Sequence, residues 1–153
     1  TAQLFGLWNP AGSGVNAVLD KLMIGTTSFG TNIVAAMGWN ATLNAGSQIG
    51  TGAPVVAFTG VTPSNARIGG GVASRVRFTS AATNTLVAAP AFLMNLAMEQ
   101  SVSTTAPTVA QSYIFDHDGC LIVPPGVAIW LGGHVAPGSS YQCSLTWAEV
   151  PTV

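Results

Sequence analysis

Tyr141-Gln142-Cys143-Ser144-Leu145-Thr146-Trp147-Ala148-Glu149-Val150 alternates along its length. Tyr141, Cys143, Leu145 and Trp147 fall on one side of an extended chain, and Gln142, Ser144, Thr146 and Ala148 on the other. A period of two marks a β-strand, because successive side chains point to opposite faces of a sheet. The first set reads as core-facing and the second as facing a wetter surface. This stretch sets an all-β expectation for the chain.

Outward from it, the same kind of pattern recurs. Short apolar runs are separated by turn residues throughout, with no internal repeat and no linker, so residues 1–153 are read as one domain. Ile33, Ala35, Met37 and Trp39 share a side of the segment Asn32–Trp39. Val15–Ile24 carries apolar residues at both parities, interrupted by Asp20 and Lys21, which as neighbours on a strand are expected on opposite faces. Asp116-His117-Asp118-Gly119 is expected to turn the chain between Tyr113–Phe115 and Cys120–Val123, since Asp bonds local backbone and Gly supplies positive φ. Pro124-Pro125-Gly126 fits a type II turn. Beyond it, Val127–Val135 has Val127, Ile129 and Leu131 on one face, and Ala128 and Trp130 on the other. A strand apolar on both faces has both covered. In a sandwich one cover is the second sheet, and the other is expected to be a neighbouring subunit or another protein. Pro90–Glu99 fits a strand or a short helix equally. Gly60–Gly71 reads as a long loop.

Composition narrows the function. Charged residues make up 6% of the chain, against about 25% in an ordinary soluble domain. Four basic residues and a net charge of −1 cannot neutralise many phosphates, so no nucleic-acid partner is expected. High hydropathy with low charge is the reverse of disorder. The best candidate membrane span, Thr85–Met98, is interrupted by Pro90 and Asn95 and is shorter than the roughly 20 apolar residues a spanning helix needs, so no membrane partner is expected. No signal peptide is visible. Solubility with so few charges suggests that oligomerisation hides part of the surface.

The search for chemistry yields little. Gly12-Ser13-Gly14-Val15-Asn16-Ala17 has dinucleotide-site spacing, but it precedes a strand rather than a helix and lacks the distal acid. No nucleophile elbow is present. Cys120 and Cys143 read as small apolar thiols, able to bridge only if their strands are neighbours. Asp116, His117 and Asp118 have too few acidic companions for a calcium site. No catalytic residue, metal or cofactor is expected, and the chain is not read as an enzyme. Arg67, Arg75 and Arg77 hold three of the four basic charges. Arg75 and Arg77, two apart, share a face of a strand, either as an anchor on an acidic partner or as a solvated edge that resists pairing. Trp8, Trp39, Trp130 and Tyr141 pack a core or, alternatively, stack sugars.

Leu7-Trp8-Asn9-Pro10-Ala11-Gly12-Ser13-Gly14-Val15, Asp118-Gly119-Cys120-Leu121-Ile122-Val123-Pro124-Pro125-Gly126 and Leu145-Thr146-Trp147-Ala148-Glu149-Val150-Pro151 together resemble a family of small tailed-phage virion proteins with an NPAGSG start. Ala148 stands where that family's close carries a second acid. The resemblance implies a jelly-roll β-sandwich assembled as a symmetric oligomer, a homotrimer above all. It implies a capsid decoration or cement protein, bound to the major capsid protein or another virion protein on the outer surface of the head and assembled in the host cytoplasm. The alternative is a fibre or spike module that recognises a host glycan. Expected contact residues are Arg67, Arg75, Arg77 and Trp130, and the first and last strands, around Leu4–Trp8 and Tyr141–Val150, are expected to pair.

Overall fold

A computed structural model describes residues 2–28, 34–41, 73–79, 91–100, 112–133 and 140–153. Among them every regular element is a strand: β1 (Ala2–Trp8), β2 (Val15–Ser28), β3 (Val34–Ala41), β4 (Arg77–Thr79), β5 (Ala91–Gln100), β6 (Ser112–Val123), β7 (Ala128–Gly133) and β8 (Ser140–Pro151). They form two antiparallel sheets, ordered β4-β1-β7-β3-β5 and β6-β2-β8, packed as a β-sandwich. From β1 to β3 and from β5 to β8, successive strands alternate between the sheets, as the chain of a jelly roll does. The ambiguous segment after Pro90 is strand β5. Arg67, His134 and the Gly60–Gly71 loop lie outside the described residues.

The first and last strands do not pair. β1 bonds to β4 and β7 in the larger sheet, while β8 bonds to β2 in the smaller one. Both edges of β1 are thereby taken, which leaves none for β8.

β8 keeps its alternation: from Tyr141 to Val150 the odd positions are half-buried and the even ones exposed. Its neighbour β2 breaks the regular alternation expected of it with a bulge. Leu19 lies opposite Trp147 and Lys21 opposite Thr146, so Asp20 is an extra residue in a β-bulge. The bulge switches parity. Val15, Ala17 and Leu19 point inward before it, and Leu22 and Ile24 after it. Apolar residues at both parities therefore line the inner face, while Val18 and Met23 stay on the outer one. Asp20 and Lys21 are both on the outer side rather than on opposite faces: Thr146 Oγ1 donates to Asp20 at 3.2 Å, and Lys21 pairs with exposed Asp116 at 3.2 Å.

The expected turn at Asp116–Gly119 is also corrected. β6 runs through it without reversing, pairing with β2 on both sides. Asp118 and Gly119 do take positive φ, 47° and 75°, but they use it to loop the extra residues His117–Cys120 out opposite the β2 bulge. Pro124-Pro125-Gly126 does reverse the chain. Gly126 has φ 86°, and Val127 N donates to Pro124 O at 3.2 Å, as a type II turn requires.

The core between the sheets is built from Phe5 and Leu7 of β1, Leu19 and Leu22 of β2, Trp39 of β3 and Leu131 of β7, with Phe5 edge-on to Trp39 at 5.8 Å. β7 sits at the centre of the larger sheet, and all of Ala128–Leu131 is buried. The expectation that its second face needs a neighbouring subunit is overturned. Trp130 is 1% exposed within the single chain, flanked in register by Gly6 and Asn40. The edge strand β5 carries two bulges, at Leu96 and Leu93, and closes tightly on β3. A Cβ at Gly38 would stand 2.6 Å from the Phe92 ring and closer still to the Met94 carbonyl, so only glycine admits β5 there.

Candidate functional site

Three stretches far apart in sequence meet at one corner of the sandwich: the Asn9–Gly14 turn, the Pro124–Gly126 turn and the end of β8. Asn9 organises the corner. It is fully buried, and its Nδ2 donates to Val15 O at 2.7 Å and Val123 O at 2.8 Å. Its own backbone is bonded on both sides, by Asn9 N to Val127 O at 3.0 Å and Gly126 N to Asn9 O at 2.7 Å. Asn9 thus holds the β1–β2 turn against the β6–β7 turn, joining the two sheets. Ser13 N closes the turn on Pro10 O, and Gly14, at φ 68°, lets the chain enter β2. Thr152 N donates to Gly14 O at 3.1 Å, which brings the end of β8 to the same place.

Glu149 fastens the edge of the larger sheet to this corner. Its carboxylate accepts from Ser74 Oγ, from Arg75 N at 3.0 and 3.2 Å, and from Val76 N at 3.3 Å. Burial pushes this carboxyl up, but these bonds and one from the Trp147 side chain outweigh it and hold it below the usual value. Arg75 lies over the turn, its guanidinium donating to Ser13 O at 3.2 Å.

The expected contact residues divide. Arg75 and Arg77 do share a face, both exposed, while Val76 and Phe78 between and beside them are buried. Arg75 is engaged within the chain and serves the corner. Arg77 is exposed on β4, an edge strand described over Arg77–Thr79. Trp130 offers no surface, being buried in the middle of the larger sheet. Among the expected sugar-stacking aromatics, Trp8, Trp39 and Trp130 are core residues, and the Tyr141 hydroxyl is buried.

The other candidate groups do not converge. Asp116 and Asp118 face solvent while His117 points inward, 3% exposed, so the three cannot share a ligand. His117 instead bridges the sheets: Trp39 Nε1 donates to its Nε2 at 3.1 Å. Burial lowers its pKa, outweighing Asp116 beside it, which acts in the other direction. Among the described residues no group of three His, Cys, Asp or Glu side chains gathers as a metal-ligand set. Cys120 is exposed on the outside of β6 and Cys143 half-buried on the inside of β8, with β2 between them, and both are free thiols. Burial raises the Cys143 thiol to about 11, so it stays protonated at neutral pH.

Apolar side chains are bare on the edge strand β5, at Phe92, Leu93 and Met94, and on the outer face of the smaller sheet. Ile122 is 57% exposed beside Val18, and Ile114 is 64% exposed beside Met23, itself 37% exposed. The Lys21–Asp116 pair separates these two apolar rows. Val18 and Met23 are the part of the both-parity pattern of Val15–Ile24 that stays on this face, the bulge having turned the other apolar residues inward. The roles of Asn9 and Glu149 were missed because each depends on partners more than 70 residues away in sequence. No family model, curated protein or solved structure matches the chain.

Proposed function

We propose that this protein is a phage virion structural protein, a capsid decoration or cement protein that binds the outer surface of the head shell as a symmetric homo-oligomer and stabilises it. The observation that carries this reading is the corner at Asn9. The three stretches that resemble phage virion proteins come from both ends of the chain, yet they are packed and hydrogen-bonded into one unit. The resemblance thus falls on residues that jointly hold the fold, rather than on three unrelated turns.

The physical mechanism is linkage. A subunit that binds only the assembled shell stabilises it by mass action. Repetition around a symmetric shell turns weak contacts into avid ones. The bare apolar rows of Ile114, Met23 and Ile122 supply surface whose burial favours such docking. Of the aromatic platforms the glycan-binding alternative would use, Trp8, Trp39 and Trp130 are core residues. Imaging of the native particle tests the proposal: density for this chain is expected at repeated symmetric positions on the shell, and density at the tail alone overturns it.

A further inference from the structure

Among the described residues the two sheets have four edge strands, and three of them carry devices that discourage pairing with another chain. β4, described over Arg77–Thr79, bears Arg77. β5 has its two bulges. β6 loops out at Asp118-Gly119 and carries Asp116. Short edges, bulges and charges are the usual means by which proteins blunt a free edge. β8 has no bulge, and its one charge and one proline, Glu149 and Pro151, lie at its end. The bulges in its ladder with β2 all lie on β2, so β8 itself is regular over its whole length. From Ser140 to Val150 it has no Gly, Pro or Lys, and Glu149 is its one charge. Among the described residues it bonds to β2 alone, with Ser74–Val76 tied onto only its Glu149 end.

We infer that the outer edge of β8 is a self-association site, where a second copy of this chain adds its own β8 antiparallel across a two-fold axis. The occupant follows from the strand's own sequence. An antiparallel pairing centred near Leu145 sets Ser144 against Thr146 of the second copy on the outer face, and Cys143 against Trp147 on the inner face. At these central positions polar meets polar and apolar meets apolar, as cross-strand neighbours prefer, while further out Gln142 meets Ala148 and Tyr141 meets Glu149. It also holds the two Glu149 carboxylates at opposite ends of the ladder, whereas parallel pairing in register stacks them. The result is one continuous six-stranded sheet, β6-β2-β8 joined to its copy, and each subunit's unprotected edge is consumed. This contact does not depend on the virion reading, and it adds a two-fold to whatever other symmetry the assembly has.

The experiment is solution molar mass by light scattering on the whole chain, at tens of micromolar. The native protein is expected at an even multiple of 15.5 kDa. Ser144→Lys with Thr146→Lys sets like charges across the two-fold, on side chains already exposed, and is expected to halve that mass with an unchanged circular dichroism spectrum. Ser144→Cys with Thr146→Cys, in a Cys120→Ser background, is expected to give disulfide-linked dimers on mild oxidation; this variant decides the matter if the lysine pair fails to fold. A native monomer or odd-numbered oligomer overturns the inference. So does an unchanged mass for a folded lysine variant, or a mass halved equally by Ser112→Lys with Ile122→Lys on β6, which assigns the contact to the sheet face rather than the edge.

Discussion

The two sheets answer differently to one composition. In the five-stranded sheet the central strand β7 is apolar on both faces and the single chain buries both, Ile129 and Leu131 on one side and Ala128 and Trp130 on the other. In the three-stranded sheet only the inner face is packed, and the outer face shows Ile114, Met23 and Ile122 to solvent. A chain with 6% charged residues is therefore not uniformly in need of partners. The demand for cover is local. It falls on the outer face of the smaller sheet and on the edge strand β5, where Phe92, Leu93 and Met94 are exposed, away from the strand whose sequence advertised it most.

The sharpest way to break this comparison is Trp130→Ala. If the far side of the larger sheet is packed within the chain, the truncation costs about 4 kcal/mol of unfolding free energy. A loss below about 1 kcal/mol in urea denaturation shows that face to be loosely covered. Gly38→Ala probes the same sheet at its β3–β5 seam. The new methyl meets the Phe92 ring and the Met94 carbonyl, and β5 has to move away, at an expected cost of about 2–3 kcal/mol by the same measurement. Asn9→Ala acts between the sheets. It leaves the carbonyls of Val15 and Val123 without their buried donor, and about 2 kcal/mol is expected to be lost.

Much of the larger frame was legible in the sequence, because it depends on local regularities. The alternation of Tyr141–Val150 needs only a period of two, and the Pro125-Gly126 turn needs only its own residues. What was not legible depends on register. Asp20 and Lys21 carry no sign that a bulge falls between Leu19 and Lys21, and a one-residue slip moves every later side chain to the other face. The Asp-His-Asp-Gly stretch showed positive φ correctly but not whether the chain turns back or merely bulges. Trp130 was rightly marked as needing cover and wrongly offered to a partner, because sequence shows that a face is apolar and not what lies over it. The site had the same division. The motif residues were visible, while Asn9 and Glu149 became meaningful only through partners brought to them by the fold.

Smaller than these single-residue losses is the pH dependence at the bridge between the sheets. His117 is buried and neutral, accepting from Trp39, with its pKa held below the ordinary imidazole value mainly by burial. The unfolded chain then binds a proton at a higher pH than the folded one. The contribution of His117 to stability is complete above the ordinary imidazole range and is lost as pH falls through that range toward the lower folded value. Denaturation midpoints are expected to drop between about pH 7 and pH 5, and less steeply in His117→Gln, whose side-chain oxygen still accepts from Trp39. An identical slope in the variant removes His117 as the cause. Glu149 acts at lower pH with the same sign. Its folded pKa is depressed, so its contribution is present above the ordinary carboxyl value and lost as pH falls through the folded one.

The smallest expected effect is the most informative about the bare face. Ile122 is 57% exposed on the outside of β6, next to Val18 across the ladder. In an isolated chain, Ile122→Thr keeps a β-branched side chain on a strand and removes little buried area, so stability is expected to change by no more than about 0.5 kcal/mol. That near-zero result is the counterpart of Trp130→Ala: one apolar side chain packed by its own chain, the other by nothing. A loss of about 2 kcal/mol reverses the meaning, since an exposed side chain has no such packing to lose within one subunit. Repeating the denaturation at several protein concentrations then separates the causes. A midpoint that rises with concentration in the native protein, and less in Ile122→Thr, places another copy over this face, because assembly stabilises the folded state by mass action.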